Sequence, residues 1–384
     1  MLPAKTAIRV QYFLYFGAMG VFLPYFNLYC LDIGFSGFQI GSLSAVRAIV
    51  LVVCAILWSV LADRKDWRRP IYILCSIVST ILWALFLLTK DFGFMLAVIV
   101  LYGAFYAPII SFLEAFAMDV LGKTKRRYGS TRAWGSVAFI TVVIISGRII
   151  DRFGIDYVIA MVLAISALQA LAAFGMPRIQ RQRQALRRDG GRLLTGQTVV
   201  FLLCAFLMLV SHGAYYGFFS IHLAQLGYGG TFIGICWALA SAAEVVVMIN
   251  SARLFARFSY KRVLTFSLAV AAIRWTVLYA AHSAPVILAS QLLHAFTYGT
   301  FHMAGILYMD QLAPEADKTL GQALNNAVTY GLGLTAGFFI SGALYKPGNS
   351  APLFLFSAFT ALGGAILFYG FHRRVPDTGC GVTG

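Results

Sequence analysis

The chain is 384 residues long, 60% hydrophobic, 15% aromatic and only 11% charged, with a mean hydropathy of +0.81. Soluble domains carry about a quarter charged residues, so this composition excludes one and defines an integral membrane protein. The net charge of +16 does not signal nucleic acid, because the basic residues sit in short blocks between apolar runs, the pattern of membrane topology.

Taken in order, the first apolar run, Val10 to Leu31, is long enough to span and shows no small-residue cleavage site, so it reads as the first helix and not as a leader. Spans follow at 8–32, 37–61, 70–89, 92–121, 129–149 and 155–175, then at 197–223, 229–254, 261–281, 284–310, 319–343 and 350–371. The expected architecture is all-α with 12 transmembrane helices in two six-helix bundles, residues 1–175 and 197–384, joined by a basic cytoplasmic linker at 176–196. The linker holds Arg178, Arg181, Arg183, Arg187, Arg188 and Arg192 against one acid, Asp189. With both termini inside, 23 basic residues are cytoplasmic, four lie in outer loops and three fall within helices, which fixes the orientation in an inner (plasma) membrane.

A repeat supports the division. Displacing the chain by 193 positions lays Gly34–Arg69 on Gly227–Arg262 with 11 identities in 36 positions, including Gly34/Gly227, Ile40/Ile233, Gly41/Gly234 and Arg64/Arg257. Six helices per half give both copies the same orientation, a parallel repeat of the kind rocking transporters use.

Charge inside apolar helices marks function by default. Glu114 and Arg132 flank a basic turn at 123–127 and lie at similar depth on neighbouring helices, so a pair is expected, either binding substrate or only pinning two helices. Trp134 and Phe139 add aromatic surface one turn on. Glu244 and Arg274 fall near the middle of their helices. His294, Tyr298 and His302 recur at i, i+4 and i+8 as one stripe, which His212 can join from the seventh segment. Two acids against two of these arginines leave Arg47 over. It either faces the cavity or snorkels outward; in the cavity it suits an anionic substrate. The five cysteines in apolar runs have no CxxC or His/Cys ligand spacing, so neither metal nor cofactor is expected.

The segment Ser59–Arg69, SVLADRKDWRR, resembles the loop signature between helices two and three of the major facilitator superfamily. Asp63, Arg64, Arg68 and Arg69 stand at the expected gating places, and Ser59 and Asp66 depart where glycine is usual. Arg132-Ala133-Trp134-Gly135-Ser136, Ser211-His212-Gly213, Glu244, Arg274-Trp275 and Gln291-Leu292-Leu293-His294 with His302 are similar, in that order, to the proton symporter branch that holds the lactose permease and phenylpropionate permease-like proteins. The resemblance implies a monomeric transporter, not an enzyme. It implies that Glu114 and Arg132 contact substrate and that Glu244, Arg274 and His294 couple substrate to a proton. From their positions, Trp134, Phe139, His212 and Tyr298 are candidates to line the substrate site and His302 to join the proton-coupling group. The pattern fails at Thr297, where the lactose permease carries the glutamate that takes the proton.

The expected function is proton-coupled uptake of a small organic substrate by alternating access, with an aromatic carboxylate such as 3-phenylpropionate as first choice and a sugar, oligosaccharide or nucleoside as alternative. An efflux antiporter is a further reading; the glycine-proline signature usual there is absent from the fifth segment. A membrane enzyme or sensor finds no Walker or HExxH motif and no large soluble domain.

Overall fold

The computed structural model describes residues 3–65, 67–122, 128–178 and 193–374. Its elements are almost all helical: α1 (Ala4–Asp32), α2 (Gly37–Lys65), α3 (Arg68–Ala84), α4 (Phe92–Leu121), α5 (Tyr128–Phe153), α6 (Tyr157–Ala173), α7 (Gly196–Gln225), α8 (Gly230–Arg257), α9 (Tyr260–Ala280), α10 (Ala284–Leu292), α11 (Phe301–Leu312), α12 (Lys318–Asn326), α13 (Leu334–Leu344) and α14 (Ala351–Arg374). In the described residues ten runs are long and apolar enough to cross a bilayer; the shorter α6 and the run from α10 to α11 complete twelve crossings.

Two crossings expected as continuous α-helices are interrupted. Ala295–Thr300 joins α10 to α11 as a π-helical segment, and Ala327–Gly333 does the same between α12 and α13. Neither contains proline, and such segments gather at functional sites.

Local signals set the helix ends. Gly34 and Gly227, matched by the repeat, both adopt left-handed φ, +95° and +86°. Each follows its helix with the same pair of bonds: Gly34 N to Leu31 O and Phe35 N to Cys30 O, Gly227 N to Ala224 O and Tyr228 N to Leu223 O. These turns satisfy the last carbonyls of α1 and α7 and need a residue without a Cβ penalty. The repeat therefore preserves a turn geometry as well as a composition.

Within the first six crossings α1 packs on α5 and α6, while α4 packs on α2 and α3; within the last six α14 packs on α7 and α9, and α13 on α7. The two sets meet through α5 with α8, α2 with α13 and α1 with α7. The termini of α1 and α14 share one face, and the opposite face carries the closest meetings of the two sets. There a Cβ on Gly41 would stand 2.5 Å from Phe338 O and 2.8 Å from Gly342 Cα, and one on Gly234 would stand 2.6 Å from Val143 O. Gly41 and Gly234 are repeat mates, so one small residue per half admits the partner's backbone on either side of the approximate axis.

The far face is also tied by polar groups. Tyr25 Oη lies 2.9 Å from both Val143 O and Gly230 O, and Asn27 donates to Gly217 O across the halves at 2.9 Å. α2 begins with its own capping box, in which Ser36 and Gln39 each accept from the other's backbone N–H. Its repeat mate α8 follows Gly229, which has no side chain to cap with. Asp151 from α5 supplies the cap instead, accepting from Gly230 N at 2.5 Å and Thr231 N at 2.8 Å.

Candidate functional site

In the first half, Arg132 Nε stands 3.5 Å from Glu114 Oε1, with both side chains about a third exposed. The pairing expected from their depth is therefore made. The guanidinium lies over the Phe16 ring at 3.8 Å and near Tyr12 at 5.5 Å, and Tyr128 donates to Glu114 Oε2. Gly135 keeps this approach open, since a Cβ there would stand 2.5 Å from Phe16 Cδ2. The aromatic floor thus comes from α1. Trp134 is 45% exposed and has no ring contact among the described residues, and Phe139 is half-buried where α5 meets α1, its carbonyl facing Gly20.

The second half builds a chain of polar groups around Arg274, which is fully buried. Its Nε donates to Ser290 O at 3.1 Å, one terminal nitrogen donates to Gln291 Oε1 at 3.0 Å, and the other donates to Thr297 Oγ1 at 3.2 Å and lies 2.7 Å from His294 Nδ1. Tyr215 also donates to Gln291 Oε1 and lies under the guanidinium, 4.3 Å from ring centre to carbon. On its other side, His294 Nε2 is 2.7 Å from Glu244 Oε1. A guanidinium can only donate, so Nδ1 accepts, and the single ring proton sits on Nε2 and is donated to Glu244. The order is Arg274 to His294 to Glu244, so an imidazole stands between the two charges that the sequence places near the middle of their helices. Thr297, at the position of the missing glutamate, serves Arg274 as an acceptor.

The stripe in the tenth crossing is stacked. Tyr298 lies 5.5 Å from His294 and 5.9 Å from His302, with planes inclined by 9° and 4°. Four residues of α-helix overshoot a turn by about 40°; the π segment removes that drift and brings the rings into register. His302 Nδ1 pairs with Tyr330 Oη at 2.5 Å, and Tyr330 lies in the second π segment. His212 joins the group, 6.1 Å from His294 and 6.2 Å from Tyr298 between ring centres. Its Nδ1 meets Met208 O at 2.8 Å, while its buried Nε2 has no hydrogen-bond partner among the described residues.

Of the expected gating residues, Arg68 pairs with Asp119 at 3.4 Å, and Arg69 donates to Met176 O and Phe174 O at 2.7 Å each, holding the end of α6. The side chains of Asp63 and Arg64 lie outside the described residues, as does most of the linker. Among the described residues no group of three or more His, Cys, Asp or Glu side chains is placed to hold a metal. Phe16, Tyr128, Gln291 and Tyr330 are site neighbours that the sequence pattern does not single out. Of these, only Gln291 stands within one of the family-like motifs.

Twelve crossings meeting about an approximate twofold, with charged groups inside both halves, define a membrane transporter of the major facilitator type. The chain belongs to the MFS_1 like family, whose model matches residues 6–356. It is 28% identical over 355 residues to the protein of Escherichia coli (strain K12) named probable 3-phenylpropionic acid transporter, covering 90% of this chain and 92% of that one. It is 25% identical over 382 residues to the maltose permease of Geobacillus stearothermophilus, covering 98% and 96%. The crystal structure of the nucleoside transporter NupG (D323A mutant) superposes with a TM-score of 0.87 at 17% identity, over 96% of this chain and 99% of that one. That likeness carries the fold.

Proposed function

We propose that the chain is a secondary active symporter that takes up a small organic substrate with a proton by alternating access, acting as a monomer with both termini cytoplasmic. The observation that carries the reading is the Glu244–His294–Arg274 chain, a carboxylate and an imidazole held inside the second half where only coupling needs them. Glu114 and Arg132 bind substrate from the first half. A proton reaching Glu244 weakens its hold on His294, which in turn loosens Arg274. Substrate that recruits Arg274 reverses the order, so each ligand favours the other. With both termini cytoplasmic, the contacts at the far face support reading this as the state closed outward.

The first choice of substrate is an aromatic carboxylate, in keeping with the Escherichia coli relative's name and with the spare cation Arg47. A neutral sugar or nucleoside is the second reading, favoured by Glu114 and Arg132 satisfying each other's charge. Proton movement in sealed vesicles holding the protein, followed with a pH dye as 3-phenylpropionate, lactose and a nucleoside are added in turn, tests both. Flux with the aromatic acid beyond passive entry in empty vesicles is expected. Flux with a neutral compound alone keeps symport and discards the carboxylate. No flux with any of them turns the reading to the efflux antiporter.

A further inference from the structure

We infer that the carboxylate of an anionic aromatic substrate docks on Arg47, in a pocket between the halves near the far face, and not on Arg132. The inference rests on the aromatic-carboxylate reading above and adds the place where the charge is held.

The three interior arginines differ in what already satisfies them. Arg132 has Glu114, and Arg274 has four acceptors. Arg47 has no carboxylate among the described residues. Its Nε is buried with no hydrogen-bond acceptor among the described residues, and the head meets Met19 Sδ at 3.8 Å and the face of Phe22 at 4.2 Å. The residue is half-buried, so its head is held partly out of water with no counter-charge among the described residues, which is costly, and a planar fork with free donors matches a carboxylate bidentately.

The surroundings supply the remainder of such a ligand's contacts. Arg47 lines a small cleft of about 30 Å³ in this state, together with Phe22 and Phe26 from α1 and Tyr216 and Phe338 from α7 and α13, and a ligand enters it by moving these rings aside. The walls are therefore aromatic, and they come from both halves. Ligand held there bridges the halves beside Asn27, which already ties Ser44 to Gly217 O. The pocket also abuts the proton chain, because the Tyr216 ring lies 5.9 Å from His212 and 6.3 Å from His294. Displacement of one ring by substrate is thus passed to the imidazole between Arg274 and Glu244.

The test compares affinities for 3-phenylpropionate and for its neutral amide, 3-phenylpropionamide, by calorimetry on the purified full chain at neutral pH. Wild type is expected to prefer the acid by about tenfold or more, Arg47→Gln to bind both equally with amide affinity unchanged, and Arg47→Lys to keep part of the preference. An Arg47→Gln protein that melts like wild type and still prefers the acid overturns the Arg47 site and leaves the substrate class standing. Wild type without preference for the acid overturns both. Should Arg47→Gln fail to fold, Arg47→Lys decides: loss of the fork lowers acid affinity about threefold or more against unchanged amide affinity, and equal acid affinity overturns the site.

Discussion

While His294 Nδ1 accepts from Arg274, the ring can hold only its Nε2 proton, so the imidazole becomes a cation only after the arginine leaves. Glu244 is then the group that can take a proton with the network intact. Glu244→Gln keeps an acceptor for His294 but cannot titrate. We expect it to lose accumulation driven by a pH gradient by at least about tenfold, while exchange of labelled for unlabelled substrate, which moves no net proton, continues. Accumulation at the wild-type level would sink this assignment. Part of the site is legible in the sequence at this scale. Equal depth on adjacent helices suffices to pair Glu114 with Arg132, and an i, i+4, i+8 spacing suffices to place three rings on one drifting stripe, though not to show that the π segment stacks them. Contacts between distant segments are not legible: nothing in the pattern places His294 between Glu244 and Arg274, or gives Arg132 the Phe16 ring as its floor. Such pairings depend on the rotation and approach of whole helices.

Those rotations and approaches are set at glycines, and two glycines with similar contacts have opposite duties. Gly213 of α7 meets Gly337 in α13, inside the second half; a Cβ there would stand 2.5 Å from Gly337 Cα. Gly234 of α8 instead meets Val143 O and Tyr25 Oη, at 2.6 and 2.7 Å from an added Cβ, both from the first half. Gly213→Val is expected to lower stability by about 1–3 kcal/mol, the usual effect of overpacking, seen as a lower melting temperature in detergent. Gly234→Val is expected to spare each half and obstruct only their closure. About 2 kcal/mol lost from the closed state shifts the populations roughly 30-fold, so a Ser44→Cys probe behind the seal should react with maleimide faster in that background. Unchanged labelling with a lower melting temperature would show that Gly234 serves folding alone. Hydropathy locates these helices and their ends within a few residues. It does not show the two π segments, because an apolar run locates a crossing without distinguishing an i→i+4 from an i→i+5 bond pattern within it.

For the molecule as a whole, the distribution of basic residues is the ground for the proposal that both termini are inside. Five cysteines lie within helices, four of them buried, and the sixth, Cys380, follows the last crossing. A membrane-impermeant maleimide should therefore leave Cys380 unlabelled in intact cells and label it once they are permeabilised. Labelling in intact cells would invert the topology and, with it, the direction in which this state opens. The repeat is visible as identities along the chain, and Gly34/Gly227 and Gly41/Gly234 prove to be where its two copies perform matching physical tasks. What holds the copies together is not visible in those identities. Asp151 capping α8 replaces a local cap that the sequence of α8 lacks, and no local rule says which distant acid will supply it.

The far-face seal consists of two charge-assisted bonds from Asp151, a Tyr25 hydroxyl divided between two carbonyls, one Asn27 amide, and backbone meeting backbone at glycines. A hydroxyl has one proton, so Tyr25 satisfies only one of its two acceptors at any instant, and both carbonyls belong to helices that already use them. Parting the halves thus gives up few bonds, each replaced by water as it breaks. Each 1.4 kcal/mol in such a seal is about tenfold in the rate of leaving it, so under the proposed function substitutions at the far face are expected to change turnover, and substitutions at the arginines below are expected to change affinity.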